Sequence, residues 1–559
     1  MSPAPSANVA AHLPEMARLQ PDTPALFIPQ GRPSGRRASQ PPRYEQYTFA
    51  ELDRASSRMA HALASYGIGR GVRTVLMVPP GFEFFALTFA LFKVGAVPVL
   101  VDPGMGVKNL KTCLAEAEPQ AFVGIPKAHM ARVLLGWGRP TVKTLLTVGR
   151  RLCWGGATLE KLLAAVSRDQ HYATAHTAPD ETAAILFTSG STGVPKGAVY
   201  SHGNFSTQVE MLRQVYDIRP GEIDLPTFPL FALFAPALGM TSVVPEMDFT
   251  RPADVDPARI VAAINTFQVT TMFGSPALIN RVGRFGDARG VRLPSLKRAI
   301  SAGAPVPAAV LERFTRMLSG DAQVFTPYGA TEALPVCSIG SAEILRETRF
   351  ATDQGQGICV GRPVPGVELE IIAIADEPIE RWDAALKLGI GEIGEIVVKG
   401  PQVTCGYFNR PESTALAKIA DPDHDGFYHR MGDLGYRDAS GRIWFCGRKA
   451  HRVMTAEETL FTIPCEAIFN THQAVFRSAL VGVGELGRQR PVLCVELEKG
   501  ADRSALEKIH QELLALAASH EMTRRIRTFL FHPAFPVDIR HNAKIFREQL
   551  AIWAAEKLA

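Results

Sequence analysis

The eight cysteines of this 559-residue chain form no CxxC pair and have no histidine-rich neighbourhood. That excludes a zinc ribbon and argues against a disulfide-stapled scaffold; scattered thiols fit a reduced, cytoplasmic interior. Neither charge sign dominates. Sixty Lys and Arg face 55 Asp and Glu, and a net +5 over this length is too dilute for a nucleic-acid groove, so no nucleic-acid partner is expected. Residues 1–20 show no basic stretch followed by an apolar one, so no secretory leader is expected. Uninterrupted hydrophobic runs of membrane-spanning length are also missing. Phe84–Val101 is broken by Lys93, Gly95 and Pro98, and Phe228–Pro245 by Pro229 and Pro236. The first of these reads as a buried helix turning at Gly95 into a buried strand.

What is present is a repeating alternation of short apolar runs with amphipathic segments. Thr74–Val78, Ala96–Asp102, Ala121–Ile125, Leu145–Val148 and Ala183–Thr188 have the length and β-branched content of buried parallel strands. Thr48–Tyr66 and Pro257–Phe267 carry helical apolar spacing. The fold class expected is α/β, with a large N-terminal domain of layered α/β subdomains. The Pro-, Ser- and Arg-rich segment Arg32–Tyr44 reads as a surface loop. From about 365 to 447 the texture becomes antiparallel β, with strands at Val367–Ile374, Gly394–Lys399 and Arg442–Phe445. After Gly447-Arg448 a small α+β domain is expected over 448–559, with strands at Ser478–Val483 and Val492–Glu498 and a helix at Ser504–Leu516. Residues 1–447 would then form the larger unit.

The segment richest in chemistry is Thr188-Ser189-Gly190-Ser191-Thr192-Gly193-Val194-Pro195-Lys196-Gly197, fed directly by an apolar strand. Small residues let backbone N–H groups approach phosphate oxygens, hydroxyls add donors, and lysine adds a mobile cation. It lacks the GxxxxGK[ST] spacing of a Walker A loop. The wording resembles the phosphate loop of the adenylate-forming superfamily, which includes acyl-CoA synthetases, luciferases and peptide-synthetase adenylation domains. Further segments match in the same order: Ser301-Ala302-Gly303-Ala304-Pro305, Tyr328-Gly329-Ala330-Thr331-Glu332, Gly394-Glu395-Ile396, Gly406–Glu412, Gly432-Asp433-Leu434-Gly435, Gly447-Arg448 and a C-terminal lysine, Lys544.

The resemblance implies ATP as cosubstrate and a set of roles. Ser189–Gly193 and Lys196 would receive the phosphates. Tyr328 would stack on adenine, with Gly303, Ala304 and Pro305 on the other side of the base and Gly329, Ala330 and Thr331 in the same turn. Asp433 would accept from the ribose hydroxyls with Arg448 in support. Thr188 and Glu332 would supply oxygen ligands to Mg²⁺, and Lys544 would bridge carboxylate and α-phosphate. Thr188, Lys196, Glu332 and Lys544 form the catalytic set.

Three departures bear on the usual second step, transfer of the acyl group to a thiol. The family's PxFH becomes Pro229-Leu230-Phe231-Ala232. The residue two after the hinge arginine is Ala450 rather than Asp or Lys. The following loop, Met454–Leu460, contains no glycine, which removes the close backbone approach a pantetheine arm needs. The lysine motif, Phe535–Arg547, also lacks its usual Ser-Gly or Thr-Gly. These features resemble the β-lactone-synthetase branch of the family, which serves bacterial long-chain olefin biosynthesis. What that implies is a long-chain 2-alkyl-3-hydroxy acid as substrate, activated as its acyl-adenylate and closed by its own 3-hydroxyl. Assembly with other olefin-biosynthesis enzymes is implied too. The competing reading is a long-chain fatty acyl-CoA ligase. By residue type alone, His451 and His541 are candidates to take the hydroxyl proton. Phe228–Phe234 is either a wall for alkyl chains or ordinary core.

Overall fold

The computed structural model describes residues 6–31, 42–188, 194–228, 233–424, 426–498, 500, 505–538 and 544–559. One seven-stranded sheet runs, in spatial order, Ala157–Thr158, Thr144–Thr147, Ala121–Gly124, Arg73–Met77, Val97–Leu100, Thr182–Phe187, Gly197–Ser201. Its pairings are parallel except the last, an antiparallel hairpin between Thr182–Phe187 and Gly197–Ser201. All five parallel strands expected from the apolar runs are present here. Val97–Leu100 and Ala121–Gly124 are buried at every position, as strands covered on both faces must be.

The helices reflect their sequences. Phe49–Ser65 opens on a reciprocal cap, in which Thr48 Oγ1 accepts from the Glu51 amide and Glu51 from the Thr48 amide. Phe82–Lys93 is buried from Phe84 onward, which is why its sequence shows little polar face. Even Lys93 is buried; its ammonium donates to Asp53 Oδ1 at 2.6 Å and Ser57 Oγ at 2.9 Å. Burial lowers its pKa and the Asp53 carboxylate opposes that.

A second seven-stranded sheet has the order Gln323–Phe325, Arg298–Ile300, Thr271–Phe273, Ile223–Pro226, Thr241–Val243, Pro24–Gln30, Arg43–Thr48. The expected helix at Pro257–Phe267 lies beside it, capped by Asp256. The loop expected over Arg32–Tyr44 needs correction at its end. Arg43 and Tyr44 already belong to a strand paired with Pro24–Gln30, and the Tyr44 ring packs on Phe267 at 4.7 Å; residues 32–41 lie outside the described set.

The third sheet is antiparallel and contains the β strands expected after residue 365, Glu368–Ile372, Gly394–Lys399 and Ile443–Arg448, around the long strand Phe427–Arg437. It reaches further back than the change in sequence texture, recruiting Tyr328–Ala330, Ala333–Ser338 and Ile358–Pro363. Tyr328–Ala330 has only three residues, too few to show a period, and the other two are interrupted by Pro335, Gly361 and Pro363. Beyond it, Val475–Val483, Arg490–Leu497 and Thr528–Phe531 form a three-stranded sheet packed by the helices Leu506–Ala518 and Arg547–Leu558. Among the described residues no helix is long and apolar enough to cross a membrane.

Candidate active site

A cavity of about 2840 Å³ lies where the sheets meet, and the motif residues converge on it. On one wall the third sheet sets Asp433 directly opposite Arg448 across neighbouring strands. Arg448 Nη1 donates to Asp433 Oδ1 at 2.8 Å and to the Met431 carbonyl at 3.0 Å, and the Tyr328 hydroxyl donates to Asp433 Oδ2 at 2.7 Å. The Asp433 charge raises the Arg448 pKa. Burial and then the same carboxylate push the Tyr328 phenol well up, so it stays a neutral donor. Gly303, Ala304 and Pro305 line the cavity nearby. Gly303 turns with a φ of +96°, a backbone that favours glycine. Gly329 is needed for space, since a Cβ there would stand 2.7 Å from the Ala333 carbonyl oxygen. Ala330 and Thr331 complete this edge.

A second group gathers around Glu332. Tyr407 donates its hydroxyl to Glu332 Oε1 at 2.6 Å, and the Lys196 ammonium lies 5.0 Å from the Tyr407 ring centroid. Lys196 and Thr188 close the base of the phosphate-type loop. The Thr188 amide donates to the Lys196 carbonyl at 3.0 Å, and the Lys196 amide to Thr188 Oγ1 at 3.2 Å. Ser189, Gly190, Ser191, Thr192 and Gly193 lie outside the described residues, as do Pro229–Ala232. The segment 404–408 holds the two parts together: the Thr404 amide donates to the Glu332 carbonyl at 2.9 Å and the Phe408 amide to the Gly197 carbonyl at 2.8 Å. Tyr200 adds a hydroxyl donated to the Thr331 carbonyl at 2.5 Å.

Tyr407, Tyr200, Lys418 and His429 belong to this neighbourhood and were not among the candidate site residues. Tyr407 stood inside a matched motif, so a signal existed; Lys418 and His429 stood in none. The Lys418 ammonium donates to the Thr404 carbonyl. Burial pulls its pKa down to about 7, and Glu332 opposes the shift. Buried His429, whose Nδ1 lies 3.1 Å from the Ala417 carbonyl, is pushed well down, first by burial and then by Lys418.

Lys544 lines the same cavity as Glu332 and Asp433. Its carbonyl accepts from the Asp538 amide at 2.9 Å, and Arg547 anchors the segment by two bonds to buried Glu466, at 2.8 and 2.6 Å. His451 pairs with Glu548 at 3.0 Å, and burial lowers the imidazole pKa; His541 is outside the described residues. The linker between the third sheet and the C-terminal part is tied to the sheet. Lys449 Nζ donates to the Ala375 carbonyl at 2.7 Å and pairs with Glu395, which Arg430 also holds from the other side. Arg452 reaches Asp376 at 2.5 Å. The glycine-free segment folds as a tight hairpin, Val453–Met454 against Thr459–Leu460. Thr455 Oγ1 accepts from the Glu457 and Glu458 amides, and Arg525 pairs with both glutamates.

Aromatic side chains from Phe84, Phe89, Phe92, Phe228 and Phe234 form an apolar part of the same cavity. A neutral tyrosine, a carboxylate–arginine pair, a carboxylate bound by a phenol and two lysines thus share one space with a long apolar wall. That combination suits an enzyme that joins a carboxylate to a nucleoside phosphate.

The chain belongs to the AMP-binding enzyme family, whose model matches residues 13–408. The whole fold superposes on the amide bond synthetase McbA from Marinactinospora thermotolerans with a TM-score of 0.79 and 23% identity, covering 98% of this chain and 100% of that one. Within the family it groups with the olefin beta-lactone synthetases. It is 53% identical over 557 residues to the one from Xanthomonas campestris pv. campestris, covering 98% of each chain. It is likewise 53% identical over 556 residues to the one from Stenotrophomonas maltophilia, covering 99% of this chain and 98% of that one.

Proposed function

We propose that the chain is an ATP-dependent, AMP-forming β-lactone synthetase that acts on a 2-alkyl-3-hydroxyalkanoic acid with two long chains, in long-chain olefin biosynthesis. The substrate carboxylate attacks the α-phosphorus and pyrophosphate leaves. The 3-hydroxyl oxygen then attacks the mixed-anhydride carbonyl; its proton is lost, the C–O bond to AMP breaks, and the four-membered ring closes. Holding the hydroxyl beside the carbonyl replaces a second substrate.

Tyr328, with Gly303, Ala304 and Pro305, would hold adenine, and Gly329, Ala330 and Thr331 would shape that edge. Asp433 would accept from the ribose hydroxyls while Arg448 holds its other oxygen by a hydrogen bond. Lys196 and Ser189–Gly193 would receive the β- and γ-phosphates, and Lys544 would meet the charge that develops between carboxylate and α-phosphate. Thr188 and Glu332 offer oxygen donors of the kind Mg²⁺ requires. Among the described residues no group of three or more His, Cys, Asp or Glu is placed to hold a metal. When bound, Mg²⁺ would neutralise phosphate charge.

The observation that carries the lactone reading over thioester formation is the closed hairpin at residues 453–460. Its turn amides are spent on Thr455 and its carboxylates on Arg525, so it offers a pantetheine arm little free backbone. The 53% identity over almost the full length supports the same assignment. The test is incubation with ATP, Mg²⁺ and a synthetic 2-alkyl-3-hydroxy fatty acid in the absence of coenzyme A, with the product identified by NMR. A β-lactone formed together with AMP is expected. A thioester formed only on adding coenzyme A would establish the fatty acyl-CoA ligase instead. Assembly with other olefin-biosynthesis enzymes is part of the proposal and is tested by co-purification with them.

A further inference from the structure

From Pro119 to Leu159 the chain has no acidic residue and six basic ones, Lys127, Arg132, Arg139, Lys143, Arg150 and Arg151. All but Arg132 are exposed. The helix Pro126–Leu135 runs through the middle of this stretch and turns Met130, Val133 and Leu134 to solvent, with Leu134 79% exposed. Its opposite side is apolar as well: Ala128 and Ala131 pack into the core and line the large cavity, together with Ile125 and Trp137. A surface helix of a water-facing protein would carry polar residues where this one carries methionine, valine and leucine.

The charges bracket that apolar face. At the helix start, Gly149 lies against Pro126, and the Trp154 ring stacks on His129 at 5.3 Å. This seats the loop bearing Arg150, Arg151 and exposed Leu152 beside Lys127. At the helix end, Arg139 folds back on Gly136, and Lys143 follows. Of the two acidic residues before the stretch, Glu116 is engaged by Arg410 at 2.7 Å and Glu118 lies 4.0 Å from Arg73.

We infer that this face docks on an anionic lipid surface, with Met130, Val133, Leu134 and Leu152 entering the headgroup boundary and the flanking basic residues meeting lipid phosphates. An apolar stripe framed by Lys and Arg is the arrangement an interfacial helix requires. Because the same helix forms part of the cavity wall, docking would set the cavity against the bilayer, where a two-chain acid partitions. The docking itself does not depend on which acid is adenylated.

The test is co-sedimentation of the full chain, without substrate, with vesicles of equimolar phosphatidylcholine and phosphatidylglycerol. Binding is expected, at least about tenfold weaker on pure phosphatidylcholine and weakened by high salt. Leu134→Asp, and separately the pair Lys143→Glu with Arg150→Glu, should each weaken it at least about tenfold. These side chains lie outside the cavity, so ATP–pyrophosphate exchange with a water-soluble 3-hydroxy acid should be unchanged, which also reports that the variants fold. No binding by the unmodified chain, equal binding to neutral vesicles, or indifference to both variants would overturn the assignment. Loss of vesicle binding in neither variant, with loss of association with an acidic protein in both, would overturn it in favour of a protein occupant.

Discussion

The linker at Lys449 makes a prediction whose size can be worked from its contacts. Glu395 and Arg430 are almost wholly buried, 1% and 2% exposed, and Arg430 grips the carboxylate with Nε at 3.2 Å and Nη2 at 2.7 Å. Arg430 also serves the Glu377 and Leu416 carbonyls at 2.8 and 3.1 Å. Replacing it by alanine strands a buried carboxylate with only Lys449 for company, at a cost of about 3–5 kcal/mol. Lys449→Ala is different in kind. Glu395 keeps its two-pronged arginine, and what is lost is a charge-assisted bond to Glu395 and another to the Ala375 carbonyl, together about 1.5–3 kcal/mol. Arg452→Ala breaks a pair whose partner, Asp376, is 60% exposed, and should cost no more than about 1 kcal/mol. Urea denaturation of the three variants should therefore rank Arg430, Lys449, Arg452. Lys449→Ala should also quicken tryptic cleavage after Arg448 and Arg452, because its ammonium ties the 449–452 turn to the sheet. Equal losses for Lys449 and Arg430, or an Arg430 loss under about 1 kcal/mol, would refute the picture of a buried carboxylate held chiefly by arginine with the linker lashed to it.

Lys544→Ala should lower the adenylation rate about 10²–10³-fold with little change in the KM for ATP, read by ATP–pyrophosphate exchange. Tyr407→Phe keeps the ring near Lys196 but removes the donor to Glu332, and the same assay should fall about tenfold or more. His202 is fully buried, with the Val9 amide 3.4 Å from its Nδ1, and burial holds its pKa down to about 4. The unfolded imidazole titrates near 6.5, so between those values the folded chain binds fewer protons. The stabilisation is complete above about pH 6.5 and is lost as pH falls toward 4, by up to about 3 kcal/mol. Denaturation at pH 7 and 4.5 should show the loss, and His202→Gln should flatten it.

How much could be read from the residues depended on what held each element in place. Val97–Leu100 and Ala121–Gly124 were legible because a strand covered on both faces has to be apolar throughout, and Phe49–Ser65 because its apolar residues recur at helical spacing. Tyr328–Ala330 was legible as a motif and not as a strand: three residues carry no period, and its pairing is set by Cys337 and Ala333 across the sheet. The site divides in the same way. Asp433 and Arg448 stood in matched motifs, yet their direct opposition follows from strand register, which no local spacing encodes. Lys418 shows the limit most clearly. In the sequence it is one lysine at the end of an amphipathic turn; in the fold its ammonium is donated to the Thr404 carbonyl, near Glu332, and burial brings its proton within reach of neutral pH. The departures at Ala450 and Met454–Leu460 had been visible only as missing residues. The structure gives them a positive content: Lys449 one residue before, and Thr455 with Arg525 after, replace a side chain at the hinge and an open glycine loop by two fixed sets of hydrogen bonds. A reaction whose nucleophile arrives already attached to its substrate can be carried out by a linker and loop held in that way.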